Sequence, residues 1–414
     1  MRDVRMRGFR ARTPVADALL LLEARTGPLA AERVALAEAD GRVAAEDVAA
    51  EVSVPHFARA AMDGFALRGE STFGASTQAP ATLALVGASM PGRPFDGDVG
   101  PGEAVSIATG APLPRGADAV LMAEHAEERD GGRTRRVVLA FAPVAPKRHV
   151  GAAGEDIEVG ARVVAAGRRL RPQDLGVLAS VGVAEIAVVR RPRVRVLVTG
   201  DEILAPGARP DGARIVDANG PMLAALARRD GAARVDVVRA PDRRDAVRAA
   251  IADAECDVVL VSGGSSVGPE DHAPVVLAEL GELLVHGVAM RPASPAGFGF
   301  VGARPVFLLP GNPVSCLAAY EFFAGPTIRA LGGRRRAWPH PRVRGVLAAK
   351  IASELGRTDY VRVALDGGRV TPIMTSGASI LSSTTRADGV VLVPADREGH
   401  AEGEAVEVLL YDAP

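Results

Sequence analysis

The stretch Val194-Arg-Val-Leu-Val-Thr199 is followed directly by Gly200-Asp201-Glu202, and the same arrangement occurs twice more. The later apolar runs also end in turn-forming residues: Asp257-Val-Val-Leu-Val261 precedes Ser262-Gly-Gly-Ser-Ser-Val-Gly268, and Val306-Phe-Leu-Leu309 precedes Pro310-Gly-Asn-Pro-Val-Ser315. Short β-branched runs followed by helical periodicity indicate parallel strands that lead into helices. The ends of such strands share one edge of the sheet, and ligands bind outside that edge. We therefore expect three segments that are distant in sequence to form one site.

Composition limits the class of protein. The chain has 414 residues, more than one ordinary core, so we expect several domains. Apolar residues make up 48% and aromatic residues only 4%, so Val, Leu and Ala must fill most of the cores. The 49 basic and 50 acidic side chains give a net charge of −1. A nucleic-acid-binding protein would show a basic excess or a basic stripe, so we expect no nucleic-acid partner.

The cysteines and the N-terminal region indicate the compartment. Cys256 and Cys316 lie beside an apolar strand and in an apolar helix, which favours buried reduced thiols over a disulfide framework or a metal cluster. No apolar stretch is long enough to span a membrane. The leucine run that ends at Leu22 is cut short by Glu23, and Thr13-Pro14 is typical of the N-cap and first residue of an ordinary helix. We expect no membrane partner and a cytoplasmic location.

The pattern of elements changes along the chain. Residues 1–50 have a helical pattern, whereas residues 51–145 alternate short apolar runs with Gly, Pro and Asp turns, which predicts a β-rich domain. Between residues 193 and 331, strands alternate with helices predicted at 220–229, 242–254, 271–280 and 313–330. This alternation is typical of a doubly wound α/β domain. After a predicted linker at 332–341 the tail is again β, with a hairpin turn at Asp366-Gly-Gly368.

Two carboxylates follow the first two apolar runs. Asp201 comes directly after the first strand, and Asp271 follows the glycine-rich loop of the second. Carboxylates at neighbouring strand ends can hold Mg²⁺, with waters and a substrate phosphate completing its coordination. Alternatively, Asp201 is a turn residue and Asp271 caps the helix that begins near His272. The presence of both residues favours a metal site more than either does alone.

The two remaining loops have features of anion sites. The loop from Ser262 to Gly268 offers backbone N–H groups that small side chains leave accessible to an oxyanion, although such a loop is often only a turn. It is not a Walker A motif, because no Gly-Lys-Ser/Thr follows. In the third loop, Asn312 can cap a helix whose first residue is Pro313. Capping does not explain Pro310-Gly311, which ends the strand at the same place.

The order of these clusters resembles the molybdopterin molybdenumtransferase family, which includes MoeA and the E domain of gephyrin. Pro55-His-Phe57 with Ala61-Met-Asp-Gly-Phe65 is similar to the family's Pro-x-Phe…Ala-Met-Asp-Gly-Tyr segment. Further matches occur in the family's order at Ala108-Thr-Gly-Ala-Pro112 with Gly116-Ala-Asp-Ala-Val120, Gly154-Glu-Asp156, Thr199-Gly-Asp-Glu202, Ser262-Gly-Gly264, Leu309-Pro-Gly-Asn-Pro-Val-Ser315 and Ser382-Ser383. From spacing alone the clusters in the β-rich region favour simple turns. Seven motifs in one order, over nearly the whole chain, are specific.

The resemblance implies a multidomain fold of α/β plus β type. A doubly wound, molybdopterin-binding-like α/β domain would comprise residues 1–27 and 178–331, and a connecting domain residues 28–50 and 146–177. An inserted β-rich domain would span 51–145, and a C-terminal β-barrel-like domain 338–414. Members of the family form elongated homodimers.

The resemblance also implies an activity. Members insert molybdate into adenylylated molybdopterin with release of AMP, assisted by Mg²⁺, which Asp201 and Asp271 would hold. Asp63 and Glu155 would join these carboxylates as catalytic residues, reaching in with Thr109 from the other subunit. The remaining implied substrate contacts are Ser262, Gly263, Gly264, Ser266, Arg291, Ser294, Pro310, Gly311, Asn312, Pro313, Ser315 and, for molybdate, Arg362 and Ser379. Transient partners would be the molybdopterin adenylyltransferase and molybdoenzyme apoproteins.

Two departures from the family pattern reduce the positive charge. Where the family usually has Lys-Pro-Gly-Lys-Pro, this chain has Arg291-Pro-Ala-Ser-Pro295, so that Ser294 replaces the second lysine. Loss of one charge-assisted hydrogen bond would cost roughly 1.5–3 kcal/mol. Before Gly154-Glu-Asp156, where basic residues are common, the chain has Gly151-Ala-Ala153, although Arg148 can partly substitute. These departures predict weaker binding of oxyanions.

The missing lysine leaves an alternative open. A paralogue could keep the scaffold, lose most of the activity and act by binding a protein partner. Tungstate is a third possibility, because its charge and geometry are nearly those of molybdate. The carboxylates and glycine-rich turns together favour the enzyme over the scaffold.

Overall fold

The computed structural model describes residues 12–131, 136–253, 255–264, 271–374 and 377–412. Two compact units comprise Met1–Glu32 with Val188–Pro414, and Arg33–Ala187. The predicted residue Ser266 lies outside the described residues.

A six-stranded sheet forms the centre of the first unit. Its strands in spatial order are Arg234–Ala240, Arg193–Thr199, Val258–Ser262, Arg304–Leu309, Gly297–Val301 and Glu282–His286. The first four strands are parallel, Gly297–Val301 is antiparallel to both of its neighbours, and Glu282–His286 therefore runs in the direction of the first four. The chain begins at the second position and then adds strands on both sides of it, which is the doubly wound arrangement expected from the sequence.

Helices cover both faces of this sheet because successive side chains of a strand point to opposite faces. Val194, Val196 and Val198 pack in the core that includes Leu223, whereas Leu197 packs in the core that includes Val247. Burying an aliphatic side chain of this size contributes about 1.5–3 kcal/mol. The helices of this unit are Val15–Arg25, Asn219–Arg229, Arg244–Ala252, Ala273–Leu280, Pro313–Ala319, Gly325–Leu331 and Ser382–Thr385, with a π-helical turn at Tyr320–Ala324. Its short strands are Ile203–Leu204, Ile215–Val216, Ile351–Ala352 and Gly399–His400.

A closed barrel follows in the C-terminal region. Its strands in spatial order are Thr358–Asp366, Arg369–Met374, Arg342–Leu347, Ala405–Leu410 and Gly389–Val393, and the last pairs with the first. Met290–Arg291 joins the edge of Thr358–Asp366 in parallel. The predicted hairpin is confirmed: Gly367 and Gly368 have φ of 52° and 83°, the left-handed geometry that suits a two-residue turn.

The second unit is rich in β-structure, as the sequence predicts. Its six-stranded sheet has the order Ala119–Met122, Gly64–Leu67, Glu103–Ile107, Ala81–Ser89, Arg136–Ala140 and Ala126–Asp130. Two small sheets pair Val48–Ala49 with Arg162–Val164 and Arg59–Ala60 with Val150–Gly151. One α-helix, Pro172–Ser180, and three 3₁₀ turns, Leu36–Glu38, Gly69–Thr72 and Ala123–His125, complete the helical content of its described residues.

The prediction that residues 1–50 are helical is wrong after residue 25. Ala31–Ala35 is a strand, and the Leu36 N–H that follows it donates to the Ala184 carbonyl oxygen over 2.9 Å. Alanine and valine permit both conformations, and the long-range partner decides between them. Thr13 is also not the N-cap: the helix begins at Val15 after Pro14, and the Thr13 N–H donates to the Gly287 carbonyl oxygen.

The predicted linker at 332–341 is packed against the fold. Arg336 donates to the hydroxyl of Thr26 over 2.8 Å, and burial lowers its pKa. The Trp338 ring lies 5.0 Å from that of Phe322 in an edge-on contact. No helix in the described part of the chain combines the length and apolar character needed to cross a membrane.

Candidate functional site

The three predicted strand ends meet at one edge of the α/β sheet. Ser262 pairs in register with Val198 on one side and with Leu309 on the other. A Cβ atom placed on Gly311 would lie 3.7 Å from the Cα of Gly263. The expected convergence of distant segments is therefore observed.

These segments enclose a cavity of about 510 Å³. A volume of this size falls in the range typical of small-molecule sites. Among the residues that the structure describes, its lining consists of Val198, Thr199, Glu202, Ile203, Ile215, Val216, Asp217, Ala218, Asn219, Ser262, Gly263, Gly311, Asn312, Pro313 and Ser379. We call this space the strand-end cavity.

Asn219 fastens two walls of the strand-end cavity together, a role that the sequence did not reveal. Its amide nitrogen donates to the Ser262 hydroxyl over 2.9 Å and to the Gly311 carbonyl oxygen over 2.7 Å. The sequence signal available for this role was an amide side chain in the short polar stretch just before the predicted helix. Asp217 holds the turn before that helix, because its carboxylate accepts from the Gly220 N–H over 2.7 Å and from Arg239 over 3.3 Å.

The Ser262 side chain is buried and contacts other side chains of the protein. It is only 1% exposed, accepts from Asn219, and lies 3.9 Å from the sulfur of Cys316. Burial raises the pKa of Cys316 to about 12, so this thiol stays protonated at neutral pH. Both cysteines are free and buried, which confirms their predicted state. The hydroxyl of Ser262 thus orients the loop, and contact with a ligand would fall to its neighbours.

Gly263 and Gly264 are glycines for a steric reason. Their φ angles of +92° and +56° lie in the left-handed region. A Cβ on Gly263 would lie 2.5 Å from the Thr199 backbone oxygen, and a Cβ on Gly264 would lie 3.0 Å from the Thr199 hydroxyl oxygen. The absence of side chains lets the loop approach the neighbouring strand end.

The carboxylates predicted to hold Mg²⁺ lie at this edge. Asp201 is exposed, and its Oδ1 accepts a long 3.4 Å hydrogen bond from the Asp242 N–H. Asp242, which was not among the predicted site residues, also approaches Gly264, whose Cβ position is 3.9 Å from the Asp242 Oδ1. Asp271 lies two residues before the helix that starts at Ala273, and is not its N-cap. The Ala273 N–H donates to the Gly264 carbonyl oxygen over 3.4 Å. The start of the helix that follows Asp271 therefore contacts the Gly263–Gly264 loop.

The donor set is chemically suited to Mg²⁺. No group of three or more His, Cys, Asp or Glu side chains in the described residues forms a metal cage. Mg²⁺ is usually held by one or two carboxylates together with waters and substrate phosphates, so a fuller cage is not required. Hard oxygen ligands without thiols or imidazoles fit this ion.

The loop from Pro310 to Ser315 contacts a segment of the C-terminal region. Asn312 occupies the N-cap position and Pro313 the first turn, as predicted, but the Asn312 side chain makes no capping hydrogen bond. The Val314 N–H donates to the Ala378 carbonyl oxygen over 2.9 Å. One N–H group at this helix N-terminus is therefore already hydrogen-bonded to the C-terminal region. The contact places Ser379 in the cavity wall.

Arg362 lies behind this tail segment. It is 1% exposed, and its guanidinium donates to the Gly377 carbonyl oxygen over 3.4 Å. Burial lowers its pKa, although a guanidinium remains charged at neutral pH. The structure thus brings Arg362 close to the loop of Ser379, while Ser315 is buried in the first turn of its helix.

Arg291 and Ser294 do not line the strand-end cavity. Arg291 forms an ion pair with Asp359, whose carboxylate also accepts from Ser353 over 2.9 Å and from Arg357 over 3.0 Å. The positive charge that the sequence suggested for a substrate anion is therefore shared with a buried carboxylate. The Ser294 hydroxyl is buried and has no hydrogen-bond partner in the described residues.

The residues predicted to act from another subunit lie in the second unit. The Asp63 carboxylate accepts from the Thr109 backbone N–H over 2.7 Å and from its hydroxyl over 3.0 Å, and these bonds lower the pKa of Asp63. Glu155 pairs with Arg59 over 2.9 Å. The Ala60 carbonyl oxygen accepts from the Gly110 N–H, so the strand that carries Arg59 adjoins the turn of Thr109. All three predicted residues thus gather around one short strand.

Comparisons with known proteins agree over most of the chain. The family model of the MoeA N-terminal region (domain I and II) matches residues 13–182. The model of a probable molybdopterin binding domain matches residues 195–330, and that of the MoeA C-terminal region (domain IV) residues 344–411.

Individual relatives are also similar to this chain over most of its length. The chain is 36% identical over 393 residues to a putative molybdopterin biosynthesis protein of Methanocaldococcus jannaschii, covering 92% of each chain. It is 35% identical over 390 residues to molybdopterin molybdenumtransferase 2 of Mycobacterium tuberculosis, covering 91% of this chain and 94% of that one. The crystal structure of the molybdopterin biosynthesis MoeA protein from Pyrococcus horikosii superimposes with a TM-score of 0.84 at 35% identity, covering 97% of this chain and 100% of that one. The chain therefore belongs to the MoeA family of molybdopterin molybdenumtransferases, enzymes of molybdenum cofactor biosynthesis.

Proposed function

We propose that this chain inserts molybdate into adenylylated molybdopterin, with Mg²⁺-dependent release of AMP. The observation that carries the proposal is the strand-end cavity, which Thr199, Gly263 and Gly311 reach from three separate segments in a MoeA-family chain. In the reaction, water attacks phosphorus of the phosphoanhydride between molybdopterin and AMP, the P–O bond breaks, and AMP departs while molybdopterin keeps its phosphate. Molybdate, the second substrate, forms two Mo–S bonds to the dithiolene sulfurs, and one oxo ligand leaves as water with the two thiol protons.

The residues divide into three groups of proposed roles. Asp201 and Asp271 would hold Mg²⁺, which when bound supplies positive charge to the phosphates. Gly263 and Gly264 allow close approach of a substrate to the loop backbone, because no side chain covers it. Arg362 and Ser379, together on the tail side, would receive molybdate. The Asp359 carboxylate offsets the charge of Arg291, which weakens Arg291 as a site for an anion.

The assay for this proposal is direct. Purified protein is incubated with adenylylated molybdopterin and Mg²⁺, with and without molybdate, and AMP is quantified. We expect molybdate-dependent AMP release, and we expect Asp201→Asn to abolish most of it because the metal loses a carboxylate. No AMP from folded wild-type protein at saturating substrate would contradict the proposal. Ser294 in place of the expected lysine is the feature that leaves the scaffold alternative open, whereas the match to the MoeA family favours the enzyme.

The proposal includes a homodimer with composite sites. Asp63, Thr109 and Glu155 gather around one strand of the second unit, and would complete the site of the other subunit. A mixture of Asp63→Ala and Asp201→Ala proteins tests this arrangement, because a mixed dimer would contain one site with both changes and one intact site. Each variant alone should be nearly inactive, whereas random mixing of subunits should restore about a quarter of wild-type activity. An inactive mixture that contains demonstrated mixed dimers would contradict a composite site.

We also propose that the chain is cytoplasmic and that it contacts the molybdopterin adenylyltransferase and molybdoenzyme apoproteins transiently. The chemistry supports these partners, because the adenylylated substrate must be supplied by one enzyme and the product taken up by another. Pull-down with the purified adenylyltransferase, in the presence and absence of substrate, tests the first contact. Absence of any substrate-dependent association would contradict it.

A further inference from the structure

The tryptophan and tyrosine side chains are concentrated where the α/β domain meets the C-terminal barrel, a region that we call the barrel junction. The chain has one tryptophan and three tyrosines. The Trp338 ring centre lies 5.7 Å from that of His340 and 6.3 Å from that of Tyr360, whose hydroxyl is 2.9 Å from the Tyr411 hydroxyl. The third tyrosine, Tyr320, begins the π-helical turn. Such turns are rare and frequently lie at functional sites.

His340 contacts both sides of the barrel junction. Its ring Nδ1 lies 2.9 Å from the backbone carbonyl oxygen of Leu410, in the strand Ala405–Leu410 of the barrel. Its Nε2 lies 3.3 Å from the carboxylate of Glu321, in the π-helical turn. His340 is 8% exposed and Glu321 is 1% exposed, so bulk water has little access to either contact.

Both contacts require a hydrogen on the imidazole ring. A carbonyl oxygen and a carboxylate can only accept hydrogen bonds, so each ring nitrogen must donate. A neutral imidazole has one N–H group, whereas a protonated imidazole has two. The two contacts of His340 can therefore exist together only when its ring is protonated. In the neutral ring, one of the two contacts must be lost.

Among the neighbouring groups that the structure describes, His340 is the one suited to change charge near neutral pH. Burial acts to raise the pKa of Glu321, but hydrogen bonds from His340 and Arg229 outweigh it and lower that pKa, so Glu321 stays a carboxylate. Burial raises the pKa of Tyr411 to about 12 and also raises the pKa of Tyr360, so both phenols stay neutral. Imidazole is the side chain whose ordinary change of charge falls between pH 5 and 8.

The fixed charges near the barrel junction act on the ring in opposite directions. Glu321 favours a protonated ring, and Arg229, which pairs with Glu321 over 2.8 Å, offsets part of this effect. Arg229 and Arg329 also pair with Asp230, over 2.9 Å and 2.7 Å. Arg362, which faces the tyrosines of the junction, opposes protonation. Because Glu321 is in direct contact with the ring, the geometry favours the protonated form.

We propose that His340 is a proton-dependent clamp that holds the barrel on the α/β domain. The protonated ring joins Glu321 to the barrel strand that ends at Leu410, and loss of the proton opens one of these two links. The segment between two barrel strands also carries Ser379 to the wall of the strand-end cavity. Loss of the proton therefore loosens the part of the chain that completes this wall. The inference does not depend on the proposed function, because its test needs no substrate.

Trp338 reports on the ring directly, because a protonated imidazole in contact with an indole quenches the fluorescence of the indole. The emission of wild-type protein should rise in one step as the pH is raised from about 5 to 8. His340→Asn keeps a donor for Leu410 and His340→Gln keeps one for Glu321. Neither side chain titrates, so both variants should lack the step.

The control for this titration is His125→Gln, at an exposed histidine of the second unit. This variant should keep the step, because its change lies outside the barrel junction. Wild-type emission that does not depend on pH would overturn the inference. A step that is unchanged in His340→Asn and His340→Gln would also overturn it.

Stability tests the clamp itself. At the acid end of the titration wild-type protein makes both contacts and each His340 variant makes one, so the urea midpoint of wild type should be the highest. The stabilisation belongs to the protonated ring, so it is present at low pH and is lost as the pH rises. The difference in midpoint should therefore shrink towards about pH 8. A difference that stays constant over this range would overturn the inference.

A measurement on wild-type protein covers the case in which neither His340 variant folds. Protein labelled with ¹⁵N at its histidine rings should show two protonated nitrogens in His340 at the acid end of the range and one at the alkaline end. A His340 ring with a single N–H group throughout would overturn the inference. Failure of the protein to release AMP would overturn the proposed function alone, so the two failures are distinguishable.

Discussion

The side-chain amide of Asn219 donates to the backbone carbonyl oxygen of Gly311 over 2.7 Å, although the two residues are 92 positions apart. Through the same nitrogen, Asn219 also donates to the hydroxyl of Ser262. One side chain at the start of a helix thus ties together the ends of two neighbouring strands. The shape of the strand-end cavity depends on this link.

Removing the amide should destabilise the fold. Asn219→Ala leaves the buried acceptors of Ser262 and Gly311 without their donor, and we expect the free energy of unfolding to fall by about 2 kcal/mol. Asn312→Ala is the matched control, because the Asn312 side chain makes no capping hydrogen bond in its exposed position. Urea unfolding measures both. Equal losses of stability in the two variants would contradict the bridging role.

The steric role of Gly263 can be separated from its backbone conformation. Gly263→Ala combines a left-handed φ of +92° with a Cβ only 2.5 Å from the Thr199 oxygen. At Gly302 φ is +62° and no described heavy atom lies within 4 Å of the Cβ position, so Gly302→Ala has only the conformational cost. We expect a loss of about 1 kcal/mol for Gly302→Ala, and a larger loss, with impaired AMP release, for Gly263→Ala. Thermal unfolding and the AMP assay check both, and a Gly263→Ala protein as stable as Gly302→Ala would contradict the predicted clash.

A buried charge cluster should dominate the stability of the α/β unit. Asp230 has a fully buried carboxylate that accepts from Arg329 over 2.7 Å and from Tyr320 over 2.8 Å, and the Arg329 side chain is 5% exposed. Asp230→Ala leaves this guanidinium with the Arg336 carbonyl oxygen but without its carboxylate partner, so we expect a loss of about 3–5 kcal/mol. Tyr320→Phe removes one hydrogen bond to the carboxylate and should lose about 1.5–3 kcal/mol, less than Asp230→Ala. Denaturant unfolding that ranks the two variants in the opposite order would contradict this account.

The acid limb of stability should depend on Asp174. Hydrogen bonds from Arg171 and then Arg168 hold the pKa of Asp174 well below its usual range. Because the folded-state pKa is depressed, the stabilisation is fully present above the unfolded-state value near 3.8 and is lost as pH falls towards the folded-state value. Asp174→Asn should therefore be less stable than wild type by about 1.5–3 kcal/mol at pH 7.

The same reasoning predicts that this difference shrinks below about pH 4. Unfolding measured from pH 7 down to the acid limit checks it. A difference between wild type and Asp174→Asn that stays constant with pH would mean that the charge of Asp174 does not carry the effect.

Periodicity was sufficient to predict the parts of the fold that depend on neighbouring residues. The apolar runs ending at Thr199, Val261 and Leu309 fixed three parallel strands, and the parallel arrangement alone requires their ends to share one edge. Gly367-Gly368 fixed a hairpin turn, because few other residues adopt positive φ. The order of motifs typical of the family then predicted which residues form the site.

Contacts across long stretches of sequence could not be predicted. The role of Asn219 requires knowing that Gly311 lies beside it, and the pairing of Arg291 with Asp359 joins residues 68 positions apart. Arg336 lies in the predicted linker at 332–341 and is held against Thr26. A charged or polar side chain has many possible partners, and only the folded chain selects one.

The most direct measurement is a crystal structure of the protein with adenylylated molybdopterin, grown without molybdate so that the substrate persists. The account predicts the substrate in the strand-end cavity, with its phosphates towards Asp201 and the Gly263–Gly264 loop. Ordered substrate bound elsewhere, with the strand-end cavity unoccupied, would contradict the account.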